Sequence, residues 1–238
     1  PDSIFPNNWN SMHADGRIAL FPMFAENRRL ERREDILDRL EENGFNISEV
    51  IDYTSAEEEN VFLEGTGSLL LDRQNRIAYC ALSPRAHEEL LIEFCEDFEF
   101  TPVIFHAYQT VDGSRELIYH TNVMMALTEK LAIVCLSAID DKKEKKNLVE
   151  MLTQTGKKII DISEEQVNQF AGNMLQVRGK DRQKYTVMSE AAYRSLTRDQ
   201  INSIERESKI LYSDLSTIEA CGGGSARCMM GEVFLKTE

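Results

Sequence analysis

No apolar run in these 238 residues approaches the roughly 20 that a membrane-crossing helix requires, and no basic leader with an apolar core opens the chain. A cytoplasmic protein with no membrane partner is expected. Basic residues are scarce against acidic ones: 27 Lys and Arg face 41 Asp and Glu, for a formal net charge of −14. Such a chain lacks the basic footprint that releases counterions from a phosphate backbone, which excludes nucleic acid as a partner. The basic clusters that do occur, ENRRLERRED and DDKKEKKN, are interleaved with acids and read as solvated helix faces. Cysteine is sparse and unpaired. Five cysteines, with no CxxC and no His-x-x-x-His spacing, supply neither a disulfide framework nor a metal site, and fit a reducing compartment.

What is present is a repeated unit: two short apolar strands around a polar turn, an amphipathic helix, and a third strand. NNWNSMHADGRIALFPM, beginning beside Asn8, turns at Asp15-Gly16; its helix from Asn27 carries Leu30, Ile36, Leu37 and Leu40 and ends at Gly44. TGSLLLDRQNRIAYCALS from Thr66 turns at Arg73 to Arg76, before a helix from Arg85 to about Asp97 and a strand TPVIFHAY. TNVMMALTEKLAIVCLS from Thr121 turns near Thr128 to Lys130, and Asp140 or Asp141 caps a helix stopping at Gly156. GNMLQVRGKDRQKYTVMS from Gly172 turns at Gly179 to Arg182, and Ser189 caps a helix reaching about residue 209. Unit starts at 8, 66, 121 and 172 lie roughly 55 residues apart, a period that implies an array or a closed propeller. The tail GGGSARCMMGEVFL from Gly222 begins a fifth unit with one strand. The expectation is an α/β propeller in a single domain over residues 1–238, its missing strands supplied from ahead of Pro1.

In a propeller the first strand of each unit lines the axis, so residues at unit starts converge from distant parts of the chain. Asn7 and Asn8, Glu64 to Ser68, His120 to Asn122, Gly172-Asn173 and Gly224 to Cys228 would then share one channel. A thiol is mostly protonated at neutral pH, so a nucleophilic cysteine needs a base nearby, and the base an orienting group. Cys228, His120 and Glu64 offer those three roles. Cys80, Cys95 and Cys135, in apolar stretches, read as core, Cys221 fits either reading, and His13, His87 and His106 lack partner motifs. The glycines beside Cys228 serve either a turn beside a buried thiol or a close passage of substrate over bare backbone.

The segments LEGTGS at 63–68, YHTN at 119–122, FAGNML at 170–175 and GGGSARCM at 222–229 resemble signatures of the guanidino-group-modifying enzymes, the pentein superfamily of arginine deiminases, dimethylarginine dimethylaminohydrolases and glycine amidinotransferases. FPNNW, NRRLERR and SPRAHEE are similar to its bacterial amidinotransferase-like branch, associated with citrulline hydrolysis. The resemblance implies a five-bladed ββαβ propeller whose N-terminal blade is missing from this chain. It implies Cys228 as nucleophile, His120 as general acid/base, Glu64 as the carboxylate orienting it, and Arg85 as the grip on a substrate carboxylate, with no cofactor. Gly224 would bring backbone close to the reacting carbon.

Deiminases usually carry Asp at the places of Asn8 and Asn122, and a second acid where Ser68 stands. These departures imply a neutral ureido substrate such as citrulline over arginine, because an uncompensated buried charge costs several kcal/mol. If an amine replaces water in the second step, the same site becomes an amidinotransferase. The rivals are an arginine-directed deiminase or dimethylarginine hydrolase, and a catalytically silent binding propeller. A ring lacking one blade exposes core, which leaves room for a homodimer.

Overall fold

The turn chemistry acts where the sequence puts it. In the computed structural model, which describes residues 4–237, β1 (Asn10–Met12) and β2 (Arg17–Leu20) meet around Gly16 at φ +94°. A 3-10 helix (Glu26–Glu31), α1 (Glu34–Glu42) and β3 (Glu49–Asp52) complete the first unit. The second comprises α2 (Gly65–Ser68), β4 (Leu69–Asp72), β5 (Ile77–Ala81), α3 (Glu88–Asp97) and β6 (Thr101–Phe105). A hairpin of β7 (Tyr108–Val111) and β8 (Ser114–Leu117) follows. The third unit is α4 (Thr121–Met124), β9 (Met125–Leu127), β10 (Leu131–Val134), α5 (Lys142–Gln154) and β11 (Lys158–Asp161), after which comes α6 (Glu164–Val167). The fourth is β12 (Leu175–Arg178), β13 (Lys184–Ser189), α7 (Glu190–Ser195), α8 (Arg198–Glu205) and β14 (Lys209–Ser213), and α9 (Ser216–Gly222) leads to the tail.

Each unit folds into one three-stranded sheet whose middle strand pairs antiparallel with the first and parallel with the third. The parallel step needs a crossover, which the unit's helix supplies. Apolar packing runs between neighbouring units. Ala19, Phe21 and Tyr53 of the first pack with Leu91 and Phe94 of the second. Tyr79 and Phe105 of the second join Ile133 and Leu148 of the third and Met188 and Ile204 of the fourth. No sheet closes on itself among the described residues.

Several expectations need correction. The helix expected from Asn27 is instead a 3-10 turn followed by α1, and Leu30, assigned to its core face, is 74% exposed. The helix expected from Arg85 starts at Glu88, because Ser83 to Ala86 form a tight turn in which Ala86 also bridges Leu63. The long helix to residue 209 is broken at Thr197, whose hydroxyl and Gln200 form a capping box that starts α8. The tail forms no strand. It makes one isolated bridge, Phe45 to Thr237, outside the sheets, and Leu235 packs against Met12 and Ile18 of the first unit.

Candidate active site

Short polar turns at the start of the second and third units, and the loops that open the first and fourth, converge because glycine lets their backbones touch. A Cβ on Gly65 would lie 2.7 Å from the carbonyl oxygens of Asn7 and Asn8, and one on Gly172 would lie 2.3 Å from the Val123 carbonyl. Thr66 Oγ1 donates to the Asn7 carbonyl at 3.0 Å and Thr121 Oγ1 to the Ser68 carbonyl at 2.5 Å, stitching the first unit to the second and the second to the third.

Where these starts meet, His120 Nε2 donates to Glu64 Oε2 at 2.6 Å, both side chains buried. That bond fixes the tautomer and leaves Nδ1 without a protein partner among the described residues. The second Glu64 oxygen accepts the Phe24 backbone N–H at 3.0 Å, and Arg85 Nη1 lies 3.5 Å from Oε2. Burial alone would raise the Glu64 carboxyl. The His120 hydrogen bond and charge, Arg85 and the Phe24 N–H outweigh it and hold Glu64 down at about 2. Burial pushes the His120 imidazole below its ordinary value, with Glu64 opposing it in part.

Cys228 comes from the tail onto the same cavity. Its sulfur accepts from Asn173 Nδ2 at 3.2 Å and Asn122 Nδ2 at 3.6 Å. A cavity of about 260 Å³ is lined by Cys228, His120, Asn8, Arg85, Arg28 and Tyr119, with Phe5 and Gly222 to Gly224. Thiol and imidazole face this space without a hydrogen bond between them, so a planar carbon can stand within reach of both. The Asn8 and Asn122 Oδ1 atoms are buried without protein partners; Asn8 lines this cavity, while Asn122 reaches it through its contact with the Cys228 sulfur.

Of the residues singled out in the sequence, Cys228, His120, Glu64, Asn8, Asn122, Arg85 and Gly224 meet here. Ser68 does not face the cavity: its hydroxyl, fully buried, donates to the Arg85 carbonyl at 3.0 Å and serves the turn that presents Arg85. The glycines have a different use from the one expected. A Cβ on Gly222 or Gly224 would lie 2.8 or 2.7 Å from the Phe5 ring, so these two residues make room for an aromatic side chain. Gly223, at φ +69°, accepts the Tyr119 hydroxyl on its carbonyl at 2.9 Å. Cys80 and Cys95 lie in the core, where burial pushes both thiols up to about 12.

The sequence reading missed Arg28. It belongs to a cluster taken for a solvated face, yet it is only 6% exposed, lines the cavity and pairs through Nε with Glu31 at 2.8 Å. The available signal was the Arg-x-x-Glu spacing inside an otherwise repulsive basic run.

This site, set among four ββαβ units, defines the class: the guanidino-group-modifying superfamily that includes arginine deiminase and dimethylarginine dimethylaminohydrolase. Within it the chain belongs to the family described as N,N dimethylarginine dimethylhydrolase, eukaryotic, which matches residues 1–235. No curated protein matches the sequence. Among solved structures it is similar to ArgZ, an arginine dihydrolase from the ornithine-ammonia cycle in cyanobacteria, at TM-score 0.71 and 18% identity over 100% of this chain and 33% of that one. It is similar also to AgrE in its ternary complex with ornithine and NAD+, at TM-score 0.70 and 19% identity over 100% of this chain and 31% of that one. A dimethylarginine dimethylaminohydrolase adduct with S-methyl-L-thiocitrulline aligns at TM-score 0.63 and 14% identity, over 96% of this chain and 76% of that one. The chain thus spans about a third of the length of the full ArgZ and AgrE chains.

Proposed function

We propose that the protein is a cysteine-dependent hydrolase of the C–N bond in a ureido or amidino amino acid, with citrulline as the preferred substrate. The observation that carries this reading is the meeting of an amide-held thiol and a carboxylate-oriented imidazole on one cavity that no carboxylate lines among the described residues. A cationic guanidinium would find no counter-charge in that lining except the nucleophile. A neutral ureido group can give an N–H hydrogen to Asn8 Oδ1, while Arg85 and Arg28 suit the α-carboxylate.

Cys228 sulfur forms a bond to the ureido carbon as its thiol proton passes to His120 Nδ1, and the tetrahedral adduct expels ammonia, which takes that proton from His120. Water, giving a proton to His120 that passes on to the departing sulfur, then breaks the carbon–sulfur bond and releases a carbamate that decays to ornithine and carbon dioxide. Water and citrulline thus yield ornithine, carbon dioxide and ammonia in balance. The second reading is a cationic substrate, arginine or dimethylarginine, favoured by the names of the matched family and neighbours. We read the four units as blades of a five-bladed propeller in a single domain.

Incubation with citrulline, arginine and dimethylarginine, assaying ammonia, ornithine and citrulline, separates these. Ornithine with ammonia from citrulline is expected; citrulline from arginine moves the assignment to the second reading. No turnover of any of the three, with Cys228 inert to alkylation, leaves a silent binding protein.

A further inference from the structure

Asn173 opens the fourth unit, is 2% exposed, and engages both its Nδ2 hydrogens and its Oδ1. Nδ2 donates to Cys228 Sγ at 3.2 Å and to the Asn122 carbonyl at 3.0 Å, and Oδ1 accepts the Arg227 backbone N–H at 2.9 Å. One amide therefore grips the residue before the nucleophile, the sulfur itself, and the backbone of the other sulfur donor. A side chain needed only to fill space would not require a donor aimed at sulfur. Thr or Val would occupy similar volume, and the Arg227 N–H needs only an acceptor.

We infer that Asn173 is a positioning residue that aims the Cys228 sulfur along the cavity, an inference that rests on the nucleophilic role proposed for Cys228. Its two functions separate chemically. The oxygen fixes the 227–228 backbone, and the N–H directs the sulfur.

Asn173→Asp makes that separation. It keeps an acceptor for the Arg227 N–H and nearly the same shape, but sets a carboxylate against sulfur; the neutral Asn173→Ser, made alongside, separates loss of the donor from the added charge, and Asn173→Ala removes both functions. The measurement is the rate of iodoacetamide labelling of Cys228 near neutral pH, read by peptide mass spectrometry against exposed Cys221 in the same molecules, with thermal unfolding of each variant alongside.

The ratio of Cys228 to Cys221 labelling is expected to fall at least about tenfold in Asn173→Asp, the effect of losing one hydrogen bond to a charged acceptor. An unchanged ratio in folded Asn173→Asp beside a reactive wild-type Cys228 would overturn the inference alone. A wild-type Cys228 labelled no faster than Cys221 would overturn the proposed function and the inference with it. Should Asn173→Asp not fold, Asn173→Ser, which keeps a short hydroxyl, carries the same comparison with the same expected fall.

Discussion

Under the proposed reading, the amide of Asn8 in the cavity lining selects the charge of the substrate. A carboxylate at Asn8 would enter the cavity lining unpaired, since Asn8 Oδ1 has no protein partner. Asn8→Asp should therefore lower kcat/KM for citrulline and raise it for arginine, changing their ratio by about tenfold or more, the worth of one charge-assisted hydrogen bond. An unaltered ratio would remove the basis for preferring a neutral substrate. His120 should matter more: His120→Ala is expected to cut kcat by about 10²–10⁴-fold, the range for a lost acid/base group, with Cys228 still open to alkylation. The convergence of Glu64, His120 and Cys228 was legible in the sequence because the first two precede the opening strands of repeats and the third follows a glycine run, although the tail forms no strand. Arg28 was not, because burial of a guanidinium against Glu31 depends on where a 3-10 turn lands, and residue type does not carry that. Ser68 was misread because a buried hydroxyl and a ligand contact look alike without coordinates.

At the scale of elements, the loop after α9 and the Phe5 ring form one packing unit. Gly224→Ala would drive a methyl into the ring at 2.7 Å and is expected to cost about 1–3 kcal/mol in unfolding free energy, the usual toll of overpacking. Combined with Phe5→Leu, the penalty should be mostly relieved, a non-additivity that a double-mutant cycle measures directly. Additive costs would show that the glycine serves something other than Phe5. The capping box at Thr197 makes a milder case: Thr197→Ala should lower stability by about 1 kcal/mol and leave kinetics untouched, since α8 lies outside the cavity lining. The strands and turns were readable because alternation and turn residues act locally. The break between α7 and α8 was readable too, through Thr197 and Gln200, but continuous helical periodicity masked it. The hairpin of β7 and β8 announces itself by Asp112-Gly113, both at positive φ, and was passed over because it interrupts the repeat.

For the whole molecule, the repeat predicted sheets of the observed topology, whereas ring closure is set by how successive units pack and leaves no local signature. What the fold buries also governs its response to acid. His13 stacks on Phe98 at 4.2 Å between centroids; Arg73 Nη1 donates to its Nδ1 at 3.1 Å, so Nε2 donates to Ser11 Oγ at 2.9 Å. Burial, and then the Arg73 charge, lower its imidazole from 6.5 to about 3. Between those values the unfolded chain binds a proton that the folded chain refuses, so stability falls as pH drops from 6.5 toward 3. The depressed Glu64 acts in the same direction lower down: its contribution is complete above about 4.5 and is lost as pH falls toward 2. His120, lowered by burial, adds to the upper window. Urea unfolding followed from neutral pH to about pH 5 should thus show free energy declining steadily, and His13→Asn should flatten the slope by up to about 1.4 kcal/mol per pH unit, the value for one proton. Equal slopes for the two proteins would mean that His13 takes up its proton without unfolding the chain, and that the first unit tolerates a cation between Arg73 and its aromatic stack.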